Sequence, residues 1–189
     1  MFRISEPSEQ DAVEFVSSQR NLPFTYAEVG ATNATPPSGY RVDHNRIRLG
    51  EGESTFGRAV EALKSWRQFD LGWLQIVPRG VVIEVGATVA VKARAFGTWS
   101  LNATRVVYVI DEPRRWGFAY GTLPDHVERG EERFLIEWLD DDSVWYDIFA
   151  FSRPQHPLVR LSFPLARLLQ KRFARESLLR MKLATDFHG

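Results

Sequence analysis

WSLNATRVVYVIDEPRRWGFAYGT, residues 99–122, alternates side-chain character with a period of two, breaks at Pro113-Arg114, and resumes the alternation at Trp116. Period two marks a half-buried strand, and a short proline-containing break between two such runs is a tight turn. Trp99–Asp111 and Trp116–Thr122 are therefore expected as adjacent antiparallel strands. Outward from them, Trp73–Val77, Thr88–Phe96, Glu132–Leu139 and Val144–Phe151 carry the same pattern, with Gly97 and Asp140-Asp141-Asp142 as turns. Strands that follow one another on short links form a meander, because a parallel crossover needs a dozen residues or more.

On either side of the meander the spacing becomes helical. Ser8 with Asp11 three residues on is a capping-box pattern, and Ala12, Phe15 and Val16 form a stripe. Residues 8–19 are thus expected as a helix ending before Pro23. Residues 23–39, punctuated by Gly30, Pro36, Pro37 and Gly39, read as loop. Tyr40–Asp43 and Arg46–Leu49 read as two short strands around His44-Asn45. Phe56, Ala59, Val60, Leu63 and Trp66 recur at helical spacing and predict a helix over 54–68. Residues 157–184 read as one long helix. Its apolar face holds Leu158, Leu161, Leu165, Leu168, Leu169, Phe173, Leu179 and Leu183. Arg160, Arg167, Lys171, Arg175 and Lys182 lie opposite, and Pro164 either begins the regular helix or kinks it. The expected class is α+β: a curved antiparallel sheet of about six to eight strands wrapped around a long C-terminal helix, with two shorter helices near the N-terminus. This helix-grip arrangement is expected as a single domain over 1–189, with 1–22 a helical extension of a 23–189 core. It often leaves a cavity between sheet and helix.

Composition bounds the function. The 189 residues are 44% apolar and 25% charged, with 24 basic and 24 acidic side chains. That balance excludes a mainly disordered chain, and the length supports a core without staples. Cysteine is absent, which excludes disulfides, thiolate metal sites and cysteine nucleophiles and fits a reducing compartment. MFRISEPSEQ at the start lacks the apolar core of a signal peptide, and the run Val106–Ile110 is far too short to span a bilayer. A cytoplasmic protein is expected. Zero net charge argues against a nucleic-acid partner. The charge is nevertheless segregated: residues 125–147 hold nine acids and two bases, and residues 151–189 hold eight bases and two acids. The basic segment is either a solvated helix face or a weak contact for an anionic membrane.

Seven blocks carry a family resemblance: FTYAEVGAT (24–32), PPSGYRVDHNRIRLGEG (36–52), ALKSWRQFDLGW (62–73), WSLNATRVVYVIDE (99–112), GFAYGTLPDHVERGEERFLIEW (117–138), VWYDIFAFSRPQHPLVRL (144–161) and QKRFARES (170–177). Together they resemble the uncharacterised family called domain of unknown function nineteen-ninety, over nearly the whole chain after about Asn21. That family is similar to the birch-pollen-allergen-like, START-like helix-grip superfamily, so the resemblance implies the fold already reached from periodicity. It also implies association with apolar ligands, and with some cyclases and hydrolases. It implies no particular reaction.

Several constellations are candidates for chemistry. Trp116, Phe118, Tyr120 and Thr122 alternate with Gly117, Ala119 and Gly121. The strip of small residues either receives the terminal helix or leaves room for a ligand. Thr122-Leu123-Pro124-Asp125-His126, followed by Glu128, Glu131, Glu132 and Arg133, sets a histidine among carboxylates. It is either a general base or part of a polar connection in which Glu131 and Arg133 pair. Arg172 and Glu176, at i and i+4, fall inside the expected apolar stripe. Burying charge is costly unless it is paired, so they form either the polar floor of a cavity or a pair at the helix edge. Asp147 is expected to pair with Arg105 or Arg133, and Arg153 to bind a carboxylate or cap carbonyl groups. Gly50–Ser54 lacks the P-loop lysine, there is no nucleophile elbow, and His44, His126, His156 and His188 are scattered. No metal and no cofactor is expected.

The primary reading is a module that binds a small apolar or amphipathic molecule between sheet and helix, through Tyr120, Thr122, His126, Glu131, Arg133, Arg153, Arg172 and Glu176. One alternative is an enzyme in the same cavity with His126 and Glu131 as acid and base. The other is a peripheral membrane or partner-binding protein acting through the basic face of the terminal helix.

Overall fold

The alternation at residues 99–122 becomes a hairpin of β5 (Thr98–Glu112) and β6 (Arg115–Thr122), with Ile110 opposite Gly117 and Thr104 opposite Thr122. A bulge between Val106 and Tyr108 re-phases β5 against its partner. The structure is a computed structural model that describes residues 2–155 and 163–186. Its other strands are β1 (Phe2–Arg3), β2 (Arg41–Glu51), β3 (Leu74–Val77), β4 (Thr88–Ala95), β7 (Glu128–Trp138) and β8 (Ser143–Pro154). Its helices are α1 (Glu9–Gln19), α2 (Gly52–Lys64) and α3 (Phe163–Asp186). The sheet runs β2-β8-β7-β6-β5-β4-β3, antiparallel at each step, with β1 added alongside β5. It curls around α3 in the helix-grip arrangement.

Strand alternation separates two cores. On the inner face Phe118, Phe134, Ile136 and Tyr146 pack against Leu63 of α2 and Met181 of α3. On the outer face Ala90, Leu101, Ala103 and Leu123 receive Ala12, Phe15 and Val16 of α1. The capping box that opens α1 is present: Ser8 Oγ accepts from the Asp11 amide, and Asp11 Oδ2 accepts from the Ser8 amide. Arg105 closes the other end of α1 by donating to the carbonyls of Gln19, Arg20 and Leu22.

Three local expectations are corrected. His44-Asn45 does not split a pair of strands. β2 is continuous over 11 residues, with His44 opposite Phe149 and Asn45 opposite Ile148. It is an edge strand with an open outer face, so charged side chains there cost little and blur the apolar pattern. The second helix ends at Lys64. Trp66 adopts a left-handed φ of 57° and starts a 3₁₀ turn over Arg67–Phe69, yet stays buried, its indole donating to the Val81 carbonyl.

The third correction concerns α3. Leu165, Leu168, Leu179 and Leu183 are 40–59% exposed, whereas Ser177, Met181 and Thr185 are fully buried. The helix is turned by nearly half a revolution from the face that hydrophobicity alone selects. The buried polar groups are satisfied. Ser177 Oγ bonds Tyr146 Oη at 3.1 Å, and Thr185 Oγ1 donates to Met181 O. Lys182, expected outside, donates to the Leu49 carbonyl. Pro164 falls in the first turn of α3, where its missing amide costs nothing. His156, Pro157, Leu158, Arg160, Leu161 and His188 lie outside the described residues. No helix among the described residues is long and apolar enough to cross a membrane.

Candidate functional site: a polar-marked cavity under the terminal helix

α2 and the C-terminal half of α3 fill one end of the curled sheet. At the other end residues 165–174 of α3 stand off from it, leaving a cavity of about 380 Å3. Phe69, Leu74, Val91, Ile148 and Phe173 contribute apolar wall. The polar marks come from the inward-facing phase of β6 and β7. Tyr120 lies directly opposite Glu132, and its hydroxyl donates to Glu132 Oε2 at 2.8 Å. Two and four residues earlier on the same phase stand Gly130 and Glu128. Gly130 has φ +151°, and a Cβ there would overlap the Phe151 carbonyl, so only glycine lets β7 approach β8 this closely.

Burial sets the protonation of this wall. Glu132 is pushed up from 4.5 to about 7 by desolvation, against which the Tyr120 hydrogen bond works only partly. Glu128 is also pushed up to about 7 by burial, with Ser152 and Arg167 pulling the other way. His126 is pushed down to about 4 by burial, so it is neutral near pH 7, and its Nδ1 accepts from the Glu128 amide at 3.0 Å. Arg167, from α3, is held by both carboxylate oxygens of Asp43 on β2. On β5, Asn102 is 93% buried, as its 7% exposure shows, and donates to Val91 O and Ser100 Oγ. Its buried Oδ1 has no partner among the described residues.

The expected site residues divide by face. Tyr120, Thr122 and His126 line the cavity. Thr122 Oγ1 accepts from the Gly130 amide and meets Thr25 Oγ1. Glu131 borders the cavity, but its carboxylate is bound on the outer side of the sheet, by Tyr26 Oη, the amides of Gly30 and Thr32, and Thr32 Oγ1. Arg133 is also on the outer side, donating to Thr32 O and pairing with Asp147 at 3.0 Å. His44 bonds the same Asp147. Arg105, the other candidate partner of Asp147, instead caps α1. Arg153 lies over the Tyr40 ring, 4.4 Å from its centre.

Arg172 and Glu176 do not line the cavity; they pair at 2.8 Å on the edge of α3. From there they hold Trp73, whose indole donates to Glu176 at 2.6 Å while Arg172 covers the ring. The edge placement follows from the rotation of α3. The small-residue strip of β6 faces outward too. Gly121 lies opposite Glu131, and a Cβ there would overlap the Tyr26 hydroxyl. Its smallness serves the N-terminal loop rather than the terminal helix or a ligand.

The sequence names Glu132 only among the carboxylates that follow His126, and it does not point to Asn102 or the Arg167–Asp43 pair. The alternation held the signal for Glu132: Phe134 and Ile136 are core residues two and four positions on, which puts Glu132 inside and Glu131 outside.

Residues 25–180 match the family described as Domain of unknown function (DUF1990). The chain belongs to that family. A UPF0548 protein of Deinococcus radiodurans is 39% identical over 188 residues, covering 93% of this chain and 94% of the relative. One from Dictyostelium discoideum is 35% identical over 199 residues, covering 94% and 92%. Among solved structures, the Zhui aromatase/cyclase of Streptomyces superposes with a TM-score of 0.55 at 8% identity, over 78% of this chain and 94% of its own. A hypothetical protein of Helicobacter pylori superposes with 0.52 at 13% identity, over 82% and 94%. At such identities the likeness is one of fold, and it is the helix-grip fold.

Proposed function

We propose that this DUF1990 protein binds a small amphipathic molecule in the cavity between the sheet and the N-terminal half of α3. The observation that carries this reading is the cavity itself. About 380 Å3 falls in the range of small-molecule pockets. Its wall is mostly apolar with a few fixed polar groups, the pattern that orients a ligand. Ala93 on β4 lines it, between Leu74 of β3 and Ser100 of β5, so Ala93→Phe fills space away from the strands that carry Glu132 and Asp43. The variant is expected to keep the wild-type melting temperature within a few degrees and to lose at least tenfold in affinity for a neutral apolar probe, N-phenyl-1-naphthylamine, read by fluorescence. Equal probe binding by both proteins would reject the reading. The alternative with Glu131 as an acid–base group loses its geometric basis, since that carboxylate is bound on the other side of the sheet.

A second reading is favoured by the outer face of α3. Leu168, Leu179 and Leu183 are exposed there, with the exposed cations Arg172 and Arg175 on the same helix. Apolar and basic side chains combined in this way suit a helix lying on an anionic bilayer. Co-sedimentation with phosphatidylserine-containing vesicles is expected to exceed that with phosphatidylcholine alone. Replacing both Leu168 and Leu179 by Ser should abolish it, and no sedimentation by the wild type would discard the surface.

A further inference from the structure

We infer that the cavity takes an organic ammonium ion, an amphipathic molecule whose protonated amine is received by Glu132. This rests on the reading that the cavity binds a small molecule, and names the chemistry of its head. Glu132 stands on the inner face of β7, where its hydrogen-bond partner among the described residues is the Tyr120 hydroxyl, on Oε2. Among the described residues no Lys or Arg lies within ion-pair distance of it, and the charge acting on it is the like-signed Asp43. The arginine that enters the wall, Arg167, is already neutralised by Asp43. A carboxylate in an apolar cavity without a cation is costly, and a bound cation removes that cost.

A second carboxylate, Glu128, stands four residues earlier on the same wall. A ligand carboxylate has no proton to give either group, whereas an ammonium has three.

The test uses one apolar body with three heads. Decylamine, decanol and decanoate compete for N-phenyl-1-naphthylamine in the wild-type protein at about pH 8. Decylamine is expected to bind at least tenfold tighter than decanol, with decanoate weakest. In Glu132→Gln the amine preference should fall to within about threefold while decanol affinity is kept. A wild-type pH series gives a reading that does not depend on the variant. Amine affinity should rise about tenfold or more between about pH 5.5 and 8, with decanol unchanged. The groups facing Glu132 are Tyr120 on β6, Tyr146 on β8 and Asp43 on β2, with Glu128, His126 and Arg167 elsewhere on the wall. Both tyrosines are pushed well above 10 and His126 down to about 4; among the described residues Glu128 shares the window, and Glu128→Gln separates the two. Decanol or decanoate binding as tightly as decylamine, or an amine preference that survives Glu132→Gln, overturns the assignment while leaving the cavity reading in place. Failure of the probe and all three ligands to bind overturns the cavity reading and the assignment with it.

Discussion

Replacing Glu131 by Ala is expected to lower stability by about 3–5 kcal/mol, and the melting temperature by on the order of 10 °C. Its carboxylate gathers four donors: Tyr26 Oη and the Gly30 amide at 2.7 Å, the Thr32 amide at 2.9 Å, and Thr32 Oγ1. Glu131 is 3% exposed and Tyr26 7%, so water does not readily replace what is lost. Hydrogen bonds to a charged group contribute roughly 1.5–3 kcal/mol each, and orphaned buried donors add desolvation. The four are not additive, because the loop they hold can relax together. Glu131→Gln keeps one acceptor oxygen but turns an NH2 toward donors, so an intermediate loss is expected. Urea unfolding measures the difference. Limited proteolysis checks its location, with new cleavage inside residues 23–39. A loss under about 1 kcal/mol would mean that this loop is held by other contacts, such as the Thr25 amide on Thr122 O.

The same carboxylate shows what the sequence makes legible. The meander, its strand order and the capping box at Ser8 were readable because each is a local periodicity or a pair three residues apart. The site was less readable because it depends on phase. A shift of one residue in β7 exchanges Glu131, which anchors a loop outside, for Glu132, which faces the cavity inside. Both are glutamates and composition cannot separate them. The core residues Phe134 and Ile136 set the phase. The face of α3 was misjudged for a related reason. A hydrophobic wheel counts Ser177 and Thr185 as surface, although Tyr146 and the Met181 carbonyl satisfy them inside. Leu168, Leu179 and Leu183, which it counts as core, are left exposed.

Glu132→Gln is expected to stabilise the ligand-free protein above pH 7 and to change little near pH 4.5. A carboxyl raised from 4.5 to about 7 by burial holds its proton in the folded state while the unfolded chain has lost it. Stability from this group is therefore fully present below about 4.5 and is lost as pH rises to about 7. The loss is about 3 kcal/mol for a shift of this size. Glu128 adds a parallel loss over the same window. His126 has the opposite sign. Lowered from 6.5 to about 4, it contributes stability that is present above 6.5 and lost as pH falls toward 4. Between pH 6.5 and 4.5 two carboxyls oppose one histidine, so stability still rises as pH falls, with a gentler slope. Below that, His126 joins acids held low by their partners, such as Asp70 beside Arg180. The wild type should be most stable near pH 5. Glu132→Gln should roughly halve its alkaline decline and gain up to about 3 kcal/mol at pH 8.5. Chemical unfolding at four pH values from 5 to 8.5 tests this. Parallel curves for wild type and variant would show that Glu132 meets bulk water rather than a dry cavity wall. A converging pair would show that an uncompensated carboxylate is maintained there at a cost in stability, as a group kept to receive a cation would be.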